Sequence, residues 1–154
     1  MTEQSRVSER LTHLDDSGNI QMVDVTGKAE TTREAIAKAR VRMAAHTVRL
    51  IESNQITKGS VLEVAKIAVP MTHIDVQFTL DSSQGIIQIE ARTRTNYKTG
   101  VEVEALTAAT IAALTIYDMC KGIDHTIVLE QAYVALKSGG KSGTVQFDPD
   151  ASRS

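Results

Sequence analysis

Residues Ile74, Val76, Phe78 and Leu80 alternate with Asp75, Gln77 and Thr79, a period of two that fits a strand with one buried face. The cluster Asp81-Ser82-Ser83-Gln84-Gly85 follows at once, and residues of this kind turn a chain back on itself. Ile87 and Ile89 then resume the alternation, which predicts a hairpin from about Ile74 to Thr95. An isolated hairpin is at best marginally stable in water. The rest of the chain must therefore extend this sheet and cover one of its faces.

Two long segments are predicted to be helices. Thr31 and Glu34 have capping-box spacing, and Ile36, Ala39, Met43, Val48 and Ile51 approximate one helical face, giving a first long helix that runs down at Ser53-Asn54. Leu106, Ala109, Ala113, Ile116 and Cys120 mark a second from Glu102 to Lys121, in a run rich in Ala and Leu. Ile20–Val25 and Ile127–Leu136 read as strands. Val61–Ala68 is too short to classify by period, and Ser138–Gly143 reads as a loop or tail.

The resulting order, β, α, an unassigned piece, β, β, α, β, is that of a split βαβ fold. The fold class expected is α+β: a ferredoxin-like βαββαβ sandwich whose antiparallel sheet carries helices on one face. The other face is expected to be apolar and uncovered, so a homo-oligomer is predicted. At 154 residues one domain is expected over 1–154, with flexible polar ends at about 1–10 and 138–154.

Seventeen Lys and Arg against nineteen Asp and Glu leave a formal charge of −2, which offers no general attraction to phosphate backbones, so no nucleic-acid partner is expected. No stretch is expected to reach the ~20 apolar residues of a membrane span, so no membrane partner is expected either. A single cysteine, Cys120, fits a reducing, cytoplasmic setting and reads as a small core residue. His13, His46, His73 and His125 form no ligand spacing, so no metal site is expected.

Lys58, Lys121, Lys137 and Lys141 fall where loops or helix ends are expected, and together such ammonium groups can grip a polyphosphate. Taken singly, each reads as an ordinary solvated lysine. Asp118 and Lys121 share a helix face at i,i+3, and Glu102 and Glu104 occupy a helical first turn, where the helix dipole alone favours carboxylates. Gly139-Gly140-Lys141-Ser142-Gly143 contains Gly-Lys-Ser, but Ala135 stands where a P-loop requires glycine, so that motif is broken.

The run Lys98-Thr99-Gly100-Val101-Glu102-Val103-Glu104-Ala105-Leu106-Thr107-Ala108-Ala109, with Ala112-Ala113-Leu114-Thr115-Ile116-Tyr117-Asp118-Met119-Cys120-Lys121 after it, resembles the signature helix of the cyclic pyranopterin monophosphate synthases. Leu11-Thr12-His13, Met22–Val25, Lys28-Ala29, Thr57-Lys58-Gly59 and Lys137–Gly143 extend the resemblance over nearly the whole chain. It implies a lyase of molybdenum cofactor biosynthesis that turns the small molecule 3′,8-cyclo-7,8-dihydro-GTP into cyclic pyranopterin monophosphate and releases pyrophosphate. It also implies a hexamer, a trimer of dimers with sites at subunit interfaces, and no redox cofactor. The resemblance makes Asp118, Lys121 and Lys58 catalytic, and gives Glu102, Val103, Glu104, Lys137 and Lys141 substrate contacts.

The sequence departs from this family at one place. The family continues through Gly-x-x-Ala-Ala-Lys and an Ile-Pro-x-Cys-His-Pro loop, whereas this chain runs from Ala65-Lys66-Ile67-Ala68 directly into Val69-Pro70-Met71-Thr72-His73. His73 aligns with the strand entry beyond that loop rather than with the loop's histidine. A second reading therefore stands beside the synthase: a catalytically impaired paralogue or an oligomeric ligand-binding scaffold that lacks the His-bearing loop.

Overall fold

The computed structural model describes Asp15, residues 17–69 and residues 73–151. The Leu11-Thr12-His13 match and the Pro70-Met71-Thr72 stretch lie outside the described residues. The elements are β1 (Thr31–Arg42), α1 (Ala45–Glu52), α2 (Val61–Ile67), β2 (Ile74–Asp81), β3 (Ile86–Tyr97), α3 (Glu102–Cys120), β4 (Val128–Ser138) and β5 (Val145–Gln146). They form one sheet in the order β2-β3-β1-β4-β5, antiparallel at every pairing. Its first four strands have the ferredoxin-like arrangement expected from the sequence, and β5 adds a short outer strand where a loop or tail was predicted.

The predicted hairpin, second helix and last main strand stand close to their expected positions. The beginning of the chain does not. Thr31–Arg42, predicted to start a helix, is the central strand β1, paired with β3 along its whole length and with β4 on its other side. Helix begins only at Ala45. Ile20–Val25, predicted as a strand, has no ladder beyond an isolated bridge at Ile20, and Ile20 and Met22 are exposed.

The periodicity explains the exchange. Ala35, Ala37, Ala39 and Val41 are buried at every second residue, and these side chains lie under α3. The alanines let the helix approach closely, and Ala105, Ala108, Ala109, Ala112 and Ala113 supply the facing surface, all buried. Ile87, Ile89, Ile116 and Val48 fill the remaining core volume. By length and composition α3 is apolar enough to cross a bilayer, contrary to the sequence reading, but here it is the core helix, packed on β1, β3 and β4.

The opposite face of the sheet was expected to be apolar and is instead largely charged. Lys38 pairs with Glu90 at 3.8 Å, Arg92 with Glu34 and Glu90 at 3.6 Å each, and Arg40 with Asp150 at 2.8 Å, while Arg42 pairs with Glu130. The alternate positions of β1 and β3 on this side are those that carry charge, so apolar burial of the open face gives no argument for assembly.

Candidate active site

α3 carries expected site residues at both ends. At its C-terminal end, Lys121 Nζ lies 2.5 Å from Asp118 Oδ1. Lys58, from the loop before α2, donates to the Asp118 main-chain carbonyl at 3.3 Å. Carbonyls in the last turn of a helix have no partner within the helix and carry the negative end of its dipole, so an ammonium group is favoured there. The hydrogen bond and charge of Lys121, with a smaller contribution from Lys58, hold the Asp118 carboxyl below the usual carboxylate range, and Asp118 in turn raises Lys121. Asp118 is thus an ionised carboxylate paired with Lys121, with the Lys58 ammonium held at its main-chain carbonyl. Its side chain is 64% exposed and that of Lys121 53%, so this chain leaves the trio open to solvent.

At the N-terminal end, Glu102 begins the helix and its carboxylate lies over Gly100, where a Cβ would meet Oε2 at 1.9 Å. Lys137 Nζ stands 3.5 Å from Glu102 Oε1 and donates to Ser142 Oγ at 2.7 Å. Val103 is exposed, as is Glu104. The adjoining cleft, of about 870 Å³, is lined by Lys28, Arg33, Lys98 and Lys141 together with Gly100 and Gly140. Among the described residues four cations and no carboxylate line it, which is the composition of a polyanion site.

Arg33 braces this cleft. It donates through Nε to the Tyr97 carbonyl at 3.3 Å and through Nη2 to the Lys98 carbonyl at 3.2 Å. Gly139 and Gly140 pass against it at φ +99° and +75°, and a Cβ on them would meet Thr32 O at 2.2 Å and Arg33 Nη1 at 2.0 Å. Glycine is required there both for backbone conformation and for closeness of approach.

The structure therefore gathers Lys58, Asp118 and Lys121 into one group and brings Glu102 to Lys137 beside the cleft that Lys141 lines, while Val103 and Glu104 stand exposed on the same helical turn. Sixteen residues of helix at 1.5 Å rise place Asp118 about 24 Å along the axis from Glu102, too far for both groups to touch one small substrate within one chain. Residue-by-residue reading gave no cleft role to Arg33, Lys28 or Lys98. Arg33 lay in a supposed helix, and only the antiparallel register of β1 with β3 brings it to Tyr97 and Lys98.

Fold and site together define the class: an α+β domain of ferredoxin-like topology with an ionised carboxylate–lysine group at one end of its core helix and a basic cleft at the other. A sequence model of the MoaC family matches residues 22–71 and 68–140. The chain is 45% identical to a cyclic pyranopterin monophosphate synthase of Heliobacterium modesticaldum over 86% of its own length and 94% of the relative's. It is 46% identical to that of Bordetella avium over 90% and 96%, and 44% identical to that of Clostridium perfringens over 92% and 100%. The chain belongs to the MoaC family.

These alignments also measure the departure noted in the sequence. The Heliobacterium alignment spans 150 positions while using 86% of 154 residues, about 132, so about 18 positions of the relative face no residue here. The two pieces of the family match meet at residues 68–71, between the end of α2 and the start of β2. His73 stands at that junction, immediately before β2, with φ +64°.

Proposed function

We propose that this protein is a cyclic pyranopterin monophosphate synthase acting in the cytoplasm, a lyase that converts 3′,8-cyclo-7,8-dihydro-GTP to cyclic pyranopterin monophosphate and pyrophosphate in molybdenum cofactor biosynthesis. The Lys58–Asp118–Lys121 group carries the reading: it is an ionised carboxylate paired with one ammonium group, with a second held at the same residue's main-chain carbonyl. Asp118 exchanges protons during ring opening and reclosure, and Lys121 and Lys58 stabilise its charge. Lys137, Lys141 and the cations of the basic cleft neutralise the triphosphate, so that a hydroxyl of the substrate's sugar part attacks the α-phosphorus, closes the cyclic phosphate with loss of its proton and expels pyrophosphate. Glu102, Glu104 and the main chain at Val103 receive the donors of the pterin-forming ring.

The separation of the two groups supports a site shared between subunits, each chain giving the Asp118 end to one site and the Glu102 end to another, within a homohexamer built as a trimer of dimers. A mixing experiment tests this. Asp118→Asn and Lys137→Ala proteins, assayed well below the wild-type KM where each alone gives little turnover, are denatured together and refolded. In a two-fold pair with two shared sites, a mixed dimer has one doubly defective site and one intact site, so random mixing restores about a quarter of wild-type activity. No recovery from correctly assembled mixed oligomers rules out the shared site. If the wild-type oligomer lacks turnover altogether, the scaffold reading replaces the synthase.

A further inference from the structure

The segment after the glycine strip is ordered along the sheet by contacts that the catalytic scheme does not use. Val145 and Gln146 pair with Lys137 and Leu136 as β5, and Phe147 N donates to the Ala135 carbonyl at 3.0 Å. The Phe147 ring meets Tyr133 of β4 edge-to-face, with centroids 5.9 Å apart. Asp150 closes the segment with its 2.8 Å ion pair to Arg40 of β1, and its main-chain N–H is held by Asp148 Oδ1 at 2.9 Å. Between β4 and β5, Ser138 and Thr144 hydroxyls join at 3.2 Å, and Gly143 N donates to the Gly140 carbonyl at 3.2 Å. The turn that carries Lys141 and partners Lys137 is thus fixed on its entry side by β4 and on its exit side by this strap.

We infer that Phe147 and Asp150 are positioning residues for the basic cleft, the strap from Val145 to Ala151 holding the glycine strip so that Lys137 and Lys141 meet a polyphosphate. The inference rests on the synthase reading for the identity of its ligand, but not for its mechanics. A glycine-rich turn loses much conformational freedom when it is ordered. Without the strap that loss falls on ligand binding, so affinity drops. Once substrate is bound it orders the strip itself, so Lys137 and Lys141 reach the same phosphate oxygens and the chemical step is unchanged.

The test combines Phe147→Ala with Asp150→Asn in the full-length oligomer and measures two quantities. One is KM and kcat for the cyclised GTP substrate; the other is the calorimetric Kd for tripolyphosphate, which needs no turnover. KM and the tripolyphosphate Kd are expected to rise together by about five- to ten-fold, the size that a lost ring pair and one exposed ion pair can produce. kcat should stay within about two-fold, and Asp150→Glu with Phe147 intact should restore most of the affinity. An unchanged tripolyphosphate Kd overturns the inference, as does a wild-type protein that binds no tripolyphosphate. A fall in kcat that tracks loss of the oligomer also overturns it, since that is what a purely structural strap does. Absence of wild-type turnover would sink the synthase reading while the tripolyphosphate measurement still decides the strap.

Discussion

The two ends of α3 hold their charges in different ways. At the C-terminal end, Asp118 and Lys121 share one helical turn and Lys58 is tied to the carbonyl of Asp118 itself, so the backbone of a core helix sets the geometry. At the N-terminal end the helix bears only Glu102, Val103 and Glu104. Lys28, Arg33, Lys98, Lys137 and Lys141 arrive from the N-terminal segment, β1, the β3–α3 loop, β4 and the glycine strip. A rigid element suits groups that must move a proton at a fixed distance, while several segments converging on a cleft suit a grip on an extended anion.

The largest expected effect falls at the rigid end. An amide in place of Asp118 keeps the shape but cannot take up a proton, so Asp118→Asn should lower kcat by about 10²–10⁴, with the elution volume in size-exclusion chromatography unchanged. Turnover above a tenth of wild type would break the assignment of chemistry to this end. The flexible end should respond in affinity. Gly140→Ala forces a side chain onto a left-handed backbone and onto the tip of Arg33, a strain of about 1 kcal/mol or somewhat more. KM is then expected to rise about five- to ten-fold with kcat nearly constant. A kcat defect as large as the KM defect would show that the two ends do not divide the work in this way.

How far such a division was legible in the sequence depended on the segment. α3 could be placed from its own residues, because its buried positions recur at i, i+3 and i+4 and its ends coincide with loop residues. The β2–β3 hairpin could be placed because both faces alternate clearly. β1 could not. Its inward residues are mostly alanine, a strong helix former, and its outward residues are charged, so a strand pattern passed as a helical one through Ile36, Ala39 and Met43. The pairing of β1 with β3 and β4 overrides that local preference. The basic cleft was lost with β1, since Arg33 faces Tyr97 and Lys98 only through this pairing. The trio at the other end was half legible: Asp118 and Lys121 follow from helical spacing, whereas the approach of Lys58 across sixty residues is a tertiary fact.

The smallest expected effect on turnover concerns what anchors the rigid end. Asp124 follows Lys121 by three residues and is only 6% exposed. One carboxylate oxygen accepts from Ala44 N at 2.9 Å and Thr47 Oγ1 at 2.8 Å, which caps α1 from outside its own sequence. The other accepts from Thr126 N at 2.8 Å and Thr126 Oγ1 at 2.6 Å. Burial works against the charge, but these four hydrogen bonds outweigh it and bring the pKa down to about 2. A carboxyl lowered from about 4 in the unfolded chain contributes stability above that pH and loses it as pH falls toward 2, about 2 kcal/mol in all. Asp124→Asn should therefore lower the urea unfolding free energy by about 2 kcal/mol at pH 7, and the difference from wild type should shrink steadily between pH 4 and pH 2. A difference that stays constant over that range would mean that packing, not the carboxylate, joins α1 to the end of α3. If the anchor is the carboxylate, the loosened loop lies beside Asp118 and Lys121, so any residual effect on turnover should appear in kcat and leave tripolyphosphate affinity untouched.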